Sequence, residues 1–315
     1  MPRPSQGELT LIQWLRAHTP TDAKSVPVGI GDDAAVIELP SGQRLLFTTD
    51  TVLEGTHFTR QRTPYRLIGR KAVASALSDV AAMGGRAVGV AVSVALPRRL
   101  RMQSAQALHQ GIVELASGYG VPVVGGDVTS WQGALAVTVS VVGVLAADEP
   151  LLRSGAKPGD AVLVTGEVGG SALGRHLTFD PRLREGEWLA ERGCVHAMVD
   201  VSDGLACDLG HILEESRCGA VVEAHRVPVS ADARRLAQRT GRTALEHALS
   251  DGEDFELCFT LAPTELDAVL AAWPFDTKVT VIGRMTKRGY WLEHPDGQRE
   301  RLEPTGYEHA FGQNA

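Results

Sequence analysis

Hydrophobic positions along this chain switch between two periods, and the switches outline its elements. Leu9, Ile12 and Leu15 share a side at helical spacing, so residues 7–18 predict a first amphipathic helix. Residues 64–83 predict a longer one, with a stripe of Ile68, Ala72, Ala76 and Val80 at four-residue steps and a stop at Met83-Gly84-Gly85. The period then falls to two. Val88, Val90, Val92, Val94 and Leu96 alternate with Gly89, Ala91, Ser93 and Ala95, a strand with one bulky and one small face that is expected to be covered on both sides. A helix over 101–118, a short strand over 121–124 and a long alternating strand over 135–145 complete an α/β first half. Residues 146–159 lapse into Asp, Pro, Arg, Ser, Gly and Lys, which predicts a seam between domains 1–147 and 148–315. Beyond it the pattern predicts a strand at 161–165, a Gly-rich turn and a helix, a strand at 195–201, a helix at 205–216, and strands at 255–260 and 278–283.

Composition narrows the class. A chain of 315 residues with 43% hydrophobic and 22% charged residues suits two globular α/β domains. No apolar run approaches the roughly 18 residues that would span a membrane. The net charge of −7 argues against a nucleic-acid partner. Four cysteines without a C-x-x-C pair, in a chain large enough to build a core, read as free thiols. The first seven residues carry no apolar signal segment, so the cytoplasm is the expected location.

The candidate chemistry lies in the acids. The 34 glycines gather beside acidic residues rather than in linkers, and six places put carboxylates at an element end or beside a glycine: Gly31-Asp32-Asp33, Thr48-Thr49-Asp50-Thr51, Ser78-Asp79, Gly125-Gly126-Asp127, Asp200-Val201-Ser202-Asp203-Gly204 and Asp251-Gly252-Glu253-Asp254. Hard cations such as Mg²⁺ take oxygen ligands, and converging carboxylates and hydroxyls would suit several ions. Taken singly, each acid has a plainer reading. Asp50 and Asp127 fit turns, Ser202 or Asp203 fits the cap of the helix at 205, and Glu253 fits a solvated loop. Asp79 is harder to explain so, because the last turn of a helix disfavours an anion by roughly 0.3–1 kcal/mol. Other kits are missing. Gly29-x-Gly31-x-x-Ala34 formally fits a dinucleotide fingerprint, but Pro27, two facing aspartates and too short a following helix speak against it. No P-loop and no H-E-x-x-H occurs. Residues 165–171 suit a phosphate-holding helix start and a tight turn equally.

Together these residues resemble the thiamine-monophosphate kinase family of the AIR synthase-like (PurM-like) superfamily. The resemblance runs from Gly7-Glu8 to Gly306-Tyr307-Glu308-His309 and includes Gly29-Ile30-Gly31-Asp32-Asp33, Leu77-Ser78-Asp79, Gly125-Gly126-Asp127, Ser202-Asp203-Gly204-Leu205 and Gly252-Glu253-Asp254-Phe255. It implies a two-domain PurM-like α/β fold with mixed sheets, and transfer of the γ-phosphoryl of ATP to thiamine monophosphate. It also implies several Mg²⁺ ions and a homodimer whose N-terminal sheets close a barrel. The family's metal ligands fall on Asp33, Thr48, Thr49, Asp50, Asp79, Asp127, Asp200 and Asp203. Of these, Asp79, Asp127 and Asp203 would act in catalysis through the metal. ATP contacts fall on Gly126, Asp127, Arg153 and Ser202, and substrate contacts on His57, Glu253 and Tyr307. This chain departs from the family in Asp251, where a second glycine is common, and in Glu308, where Asp is usual. An aminoimidazole-ribonucleotide synthetase-like ligase and a non-catalytic Mg²⁺/nucleotide-binding protein are the alternatives.

Overall fold

The computed structural model describes residues 7–309. Strands β1 (Ala35–Glu38), β2 (Arg44–Leu53), β3 (Gly85–Pro97), β4 (Val123–Trp131) and β5 (Ala136–Leu145) form one sheet in the order β1-β2-β5-β3-β4. Its pairs are antiparallel except β3 with β4. A second sheet takes β6 (Ala161–Thr165), β7 (Val195–Asp200), β8 (Gly219–Glu223), β9 (Leu257–Leu261), β10 (Val279–Thr286), β11 (Tyr290–Glu293) and β12 (Arg299–Arg301), in the order β12-β11-β8-β10-β6-β9-β7. Helices α1 (Glu8–His18), α2 (Tyr65–Ala82), α3 (Met102–Gly118), α4 (Leu183–Arg192), α5 (Leu205–Ser216), α6 (Ala231–Thr240), α7 (Ala244–Ser250) and α8 (Pro263–Ala272) flank them. This is the mixed, two-domain α/β architecture expected. Among the described residues no helix is long and apolar enough to cross a membrane, and all four cysteines are free thiols.

Helix α2 positions the site. It packs on β2, β5 and β3 of the first sheet, on β7 of the second, and on α3 and α4. Thirteen of its eighteen residues are buried accordingly, far more than one amphipathic stripe provides. Glycine makes the closest packing possible. A Cβ at Gly69 would meet the Leu108 carbonyl oxygen of α3 at 2.1 Å, and one at Gly111 of α3 would meet the Arg66 oxygen at 1.8 Å.

Four expectations need correction. The strand at 121–124 runs on to Trp131, so Gly125-Gly126-Asp127 lies within an edge strand rather than at a strand end. The helix after the Gly-rich turn is two single 3₁₀ turns, Ser171–Leu173 and Arg175–Leu177, before α4. Strand β3 is covered on one face only: Val90 is buried, whereas Ser93 is exposed. Val88 is also the extra residue of an irregularity against β5, between Ala87 and Gly89, which breaks the strict alternation and leaves Val88 exposed. Finally, α1 has the expected bounds but buries none of its residues.

Candidate active site

The acids that the pattern scattered along the chain meet where the two sheets face α2. Asp50 projects from β2 toward α2, Asp79 from the last turn of α2, Asp200 from the end of β7, and Asp203 from the turn before α5. Hydroxyls orient two of them. Thr48 donates to the Asp79 carboxylate (2.6 Å) and Ser78 to Asp200 (2.5 Å). Asp33, on the bend before β1, accepts from the Arg153 guanidinium (Nε, 3.1 Å), while the Arg153 amide donates to both Asp32 oxygens (3.3 Å each).

The electrostatics are those of negative charge held against its own repulsion. Burial, then Asp200 and Asp50, push the Asp79 carboxyl well above its ordinary value. Burial and Asp33 raise Asp200 to about 7, burial and Glu8 raise Asp203 to about 6, and burial raises Asp50. The Asp33 Oδ2 atom is buried without a hydrogen-bond partner. A set of oxygen donors with one orphaned carboxylate oxygen and mutually repelling neighbours fits hard divalent cations.

Beside this cluster opens a cavity of about 620 Å³ lined by Asp50, Asp79, Ser202, Asp203, His57, Glu253 and Tyr307. The expected substrate residues are therefore brought to one place. The His57 ring accepts from the Leu53 amide (3.0 Å), and burial lowers its pKa. The Tyr307 amide donates to the Asp203 carbonyl (2.9 Å), with the Tyr307 ring edge-on to His309 at 4.9 Å. Glu253 is not a solvated loop residue: it pairs with Lys71 and lies 2.8 Å from His176.

Two expected ligands stand apart. Thr49 touches the cavity rim, but strand alternation turns its side chain to the opposite face from Thr48 and Asp50, where its hydroxyl meets Ser140 at 3.1 Å. Asp127 lies in register with Ser93, Thr138 and Thr51 on that same open face. Three strand spacings, roughly 14 Å, separate its strand from that of Asp50. Gly126 also has a local reason to be glycine, since a Cβ there would meet the Val92 carbonyl oxygen at 1.8 Å.

The plainer readings of several residues are now decided. Neither Ser202 nor Asp203 caps α5; the Asp208 carboxylate accepts the amides of Asp203 and Gly204 (3.0 Å each), which frees the Asp203 side chain for the cavity. The Gly-rich turn binds carboxylates of its own chain: Asp254 accepts from Gly169 (2.6 Å) and Ser171 (2.5 Å), and Asp251 accepts from Gly170 (3.2 Å). It is a braced turn. Sequence reasoning missed Lys71, His176 and Asp208, all set in segments read for their apolar or helical pattern.

Two family models match consecutive stretches of the chain. Residues 31–145 match the family model for the N-terminal domain of AIR synthase related protein, and residues 157–291 that for the C-terminal domain. The thiamine-monophosphate kinase of Rhodopirellula baltica is 40% identical over 310 residues, 96% of this chain and 97% of its own. The chain belongs to the thiamine-monophosphate kinase family. The Escherichia coli K12 member is 34% identical, over 96% of this chain and 98% of its own. Among solved structures, AaThiL complexed with AMPPCP and TMP superposes with a TM-score of 0.83 at 28% identity, covering 96% of this chain and 97% of that one. The thiamine-monophosphate kinase of Stenotrophomonas maltophilia superposes at 0.73 and 33% identity, covering 92% and 96%. A hydrogenase maturation protein in complex with ATP, at 22% identity and a TM-score of 0.70, shares the fold.

Proposed function

We propose that this protein transfers the γ-phosphoryl group of ATP to the phosphate of thiamine monophosphate, giving thiamine diphosphate and ADP. The observation that carries the reading is that Asp50, Asp79 and Asp203 line one cavity, while Asp33 and Asp200 are close enough behind them to raise their neighbours' pKa values, with the Asp33 Oδ2 atom buried and unpartnered. The relatives' names and the solved complex with an ATP analogue and TMP support the choice of substrates.

Two phosphorylated reactants repel each other, so the protein's main task is in-line positioning and charge neutralisation. Mg²⁺ bound by these aspartates would neutralise and orient the phosphoryl oxygens. The chain's own residues do the holding: Thr48 fixes Asp79, Ser78 fixes Asp200, and Asp208 keeps the Asp203 turn in place. No general base is called for, because a phosphate with a second pKa around 6 is already largely ionised near neutrality. Transfer is accordingly direct. We place the nucleotide near Arg153 and Ser202, and the thiamine end near His57, Glu253 and Tyr307.

The reading extends to a cytoplasmic homodimer. The sheet face bearing Thr49, Ser93 and Asp127 is open, and the contacts of Gly126 and Asp127 with the nucleotide are proposed to form only when a second copy covers it. Steady ADP release that depends on thiamine monophosphate, with thiamine diphosphate as co-product, is the expected result of incubation with MgATP. Hydrolysis of ATP indifferent to the acceptor, or no turnover, would overturn the proposal.

A further inference from the structure

One buried charge has no part in the chemistry just described. Lys71, in the first half of α2, is fully buried. Its ammonium donates to the His57 carbonyl oxygen (2.8 Å) and to the Glu253 carboxylate, and lies 3.0 Å from His176 Nδ1. The same His176 nitrogen stands 2.8 Å from the other Glu253 oxygen. A single cation thus ties together three segments far apart in sequence: the loop after β2, the 3₁₀ turn at 175–177, and the loop before β9.

The third segment is the one that needs holding. Glu253 (φ 65°) and Phe255 (φ 52°) both sit in the left-handed region without being glycine, a conformation that persists only where the surroundings enforce it. Their amides donate to the Ser202 and Val201 carbonyls at 2.7 Å, which fixes the main chain, while Lys71 fixes the side chain. Burial alone would raise the Glu253 pKa, but the His176 hydrogen bond and the Lys71 charge outweigh it and lower it, so the carboxylate is ionised when it grips the ammonium.

We propose that Lys71 is a positioning residue for the acceptor, holding Glu253 and the His57 loop in the arrangement that receives the end of the substrate remote from its phosphate. This rests on the thiamine monophosphate reading. It also changes how Glu253 works there. Already paired with a buried cation, Glu253 offers the thiazolium a shaped and nearly neutral wall rather than a free counter-charge. A merely structural Lys71 would lower the melting temperature when replaced and leave both Michaelis constants alone.

The test measures KM for thiamine monophosphate and for ATP, with melting curves, in the wild type, Lys71→Arg, Lys71→Met and the double variant Lys71→Met/Glu253→Gln. Lys71→Met is expected to raise KM for thiamine monophosphate about 10-fold or more and to move KM for ATP less than about 2-fold. Lys71→Arg should recover part of that loss, because it returns a cation to Glu253. The double variant should resemble Lys71→Met rather than add to it, since both act on one contact. It also leaves no unpaired buried carboxylate, so it carries the same expectation if Lys71→Met does not fold. Equal rises in both constants, or a lower melting temperature with neither constant changed, would overturn the proposal. Wild-type protein that fails to phosphorylate thiamine monophosphate would overturn the parent reading and this one together, whereas wild-type turnover with an unmoved KM ratio overturns this one alone.

Discussion

At the scale of single residues, the aspartates of the cavity cost the fold stability, a cost that bound cations would relieve. The folded-state pKa of Asp79 lies well above the unfolded one, so its contribution favours folding at low pH and is lost as pH rises toward and through the folded value. At neutral pH, above the unfolded value, burying this carboxyl is therefore a burden on the cation-free protein. Asp79→Asn keeps the shape and the acceptor for Thr48 while removing the charge. In chelator its melting temperature should equal or exceed that of the wild type, while turnover falls by about 100-fold or more through lost electrostatic stabilisation. The wild type should also gain about 2.7 kcal/mol when Mg²⁺ is supplied at a hundred times its dissociation constant, and the variant clearly less. Thermal melts with and without Mg²⁺ check both, and a variant that melts lower in chelator with unchanged turnover would contradict the shared-cation site. Most of these acids were legible in the sequence as carboxylates at element ends or beside glycines. Asp208 was not, because a carboxylate one turn inside a predicted helix carries no mark of the two upstream amides it accepts.

At the scale of elements, α2 shows what periodicity reveals and what it hides. The apolar stripe of Ile68, Ala72, Ala76 and Val80 is buried as its spacing implied. Beside it runs a second stripe of Lys71, Ser75, Ser78 and Asp79, at i, i+4, i+7 and i+8, which reads as the solvent side of an amphipathic helix. Instead it faces partners from both domains: Lys71 reaches Glu253 and the His57 carbonyl, Ser78 reaches Asp200, and Asp79 accepts from Thr48. The pattern was legible, but its direction was not, because a helix clasped between two domains has no solvent face. Strand β4 and the turns at 171–177 were misread for a related reason, since glycine-rich segments lack the apolar rhythm that marks an element. The tight seat of α2 gives a prediction of its own. Gly69→Ala drives a Cβ into the Leu108 carbonyl and should destabilise by about 1–3 kcal/mol, as overpacking does. A shift of the urea midpoint measures this, and an unchanged midpoint would mean that α2 and α3 separate easily.

At the scale of the whole molecule, the open face of the first sheet is its least finished surface. Thr49 and Thr51 of β2, Thr138 and Ser140 of β5, and Ser93 of β3 lie there, cross-bonded in pairs such as Thr51 with Thr138 at 2.9 Å. Around them Phe47, Leu53, Val88 and Val142 are between 37% and 51% exposed, an apolar rim that water does not favour. Small residues at the centre with apolar ones around them allow two such sheets to approach closely, which is the form the homodimer would take. Val142 sits on the central strand β5 opposite Phe47, so Val142→Lys would put an unpaired ammonium into the apolar rim of that contact without disturbing the buried face beneath it. The wild type is expected to run at twice the chain mass in light scattering, and Val142→Lys as a folded monomer. Because Asp127 shares this face and lies far from Asp50 within one chain, the monomer should also lose most of its turnover, with its melting temperature falling on dilution in the wild type but not in the variant. A wild type that is monomeric and fully active at assay concentration would show that the face serves no second copy and that Asp127 takes no part in the reaction.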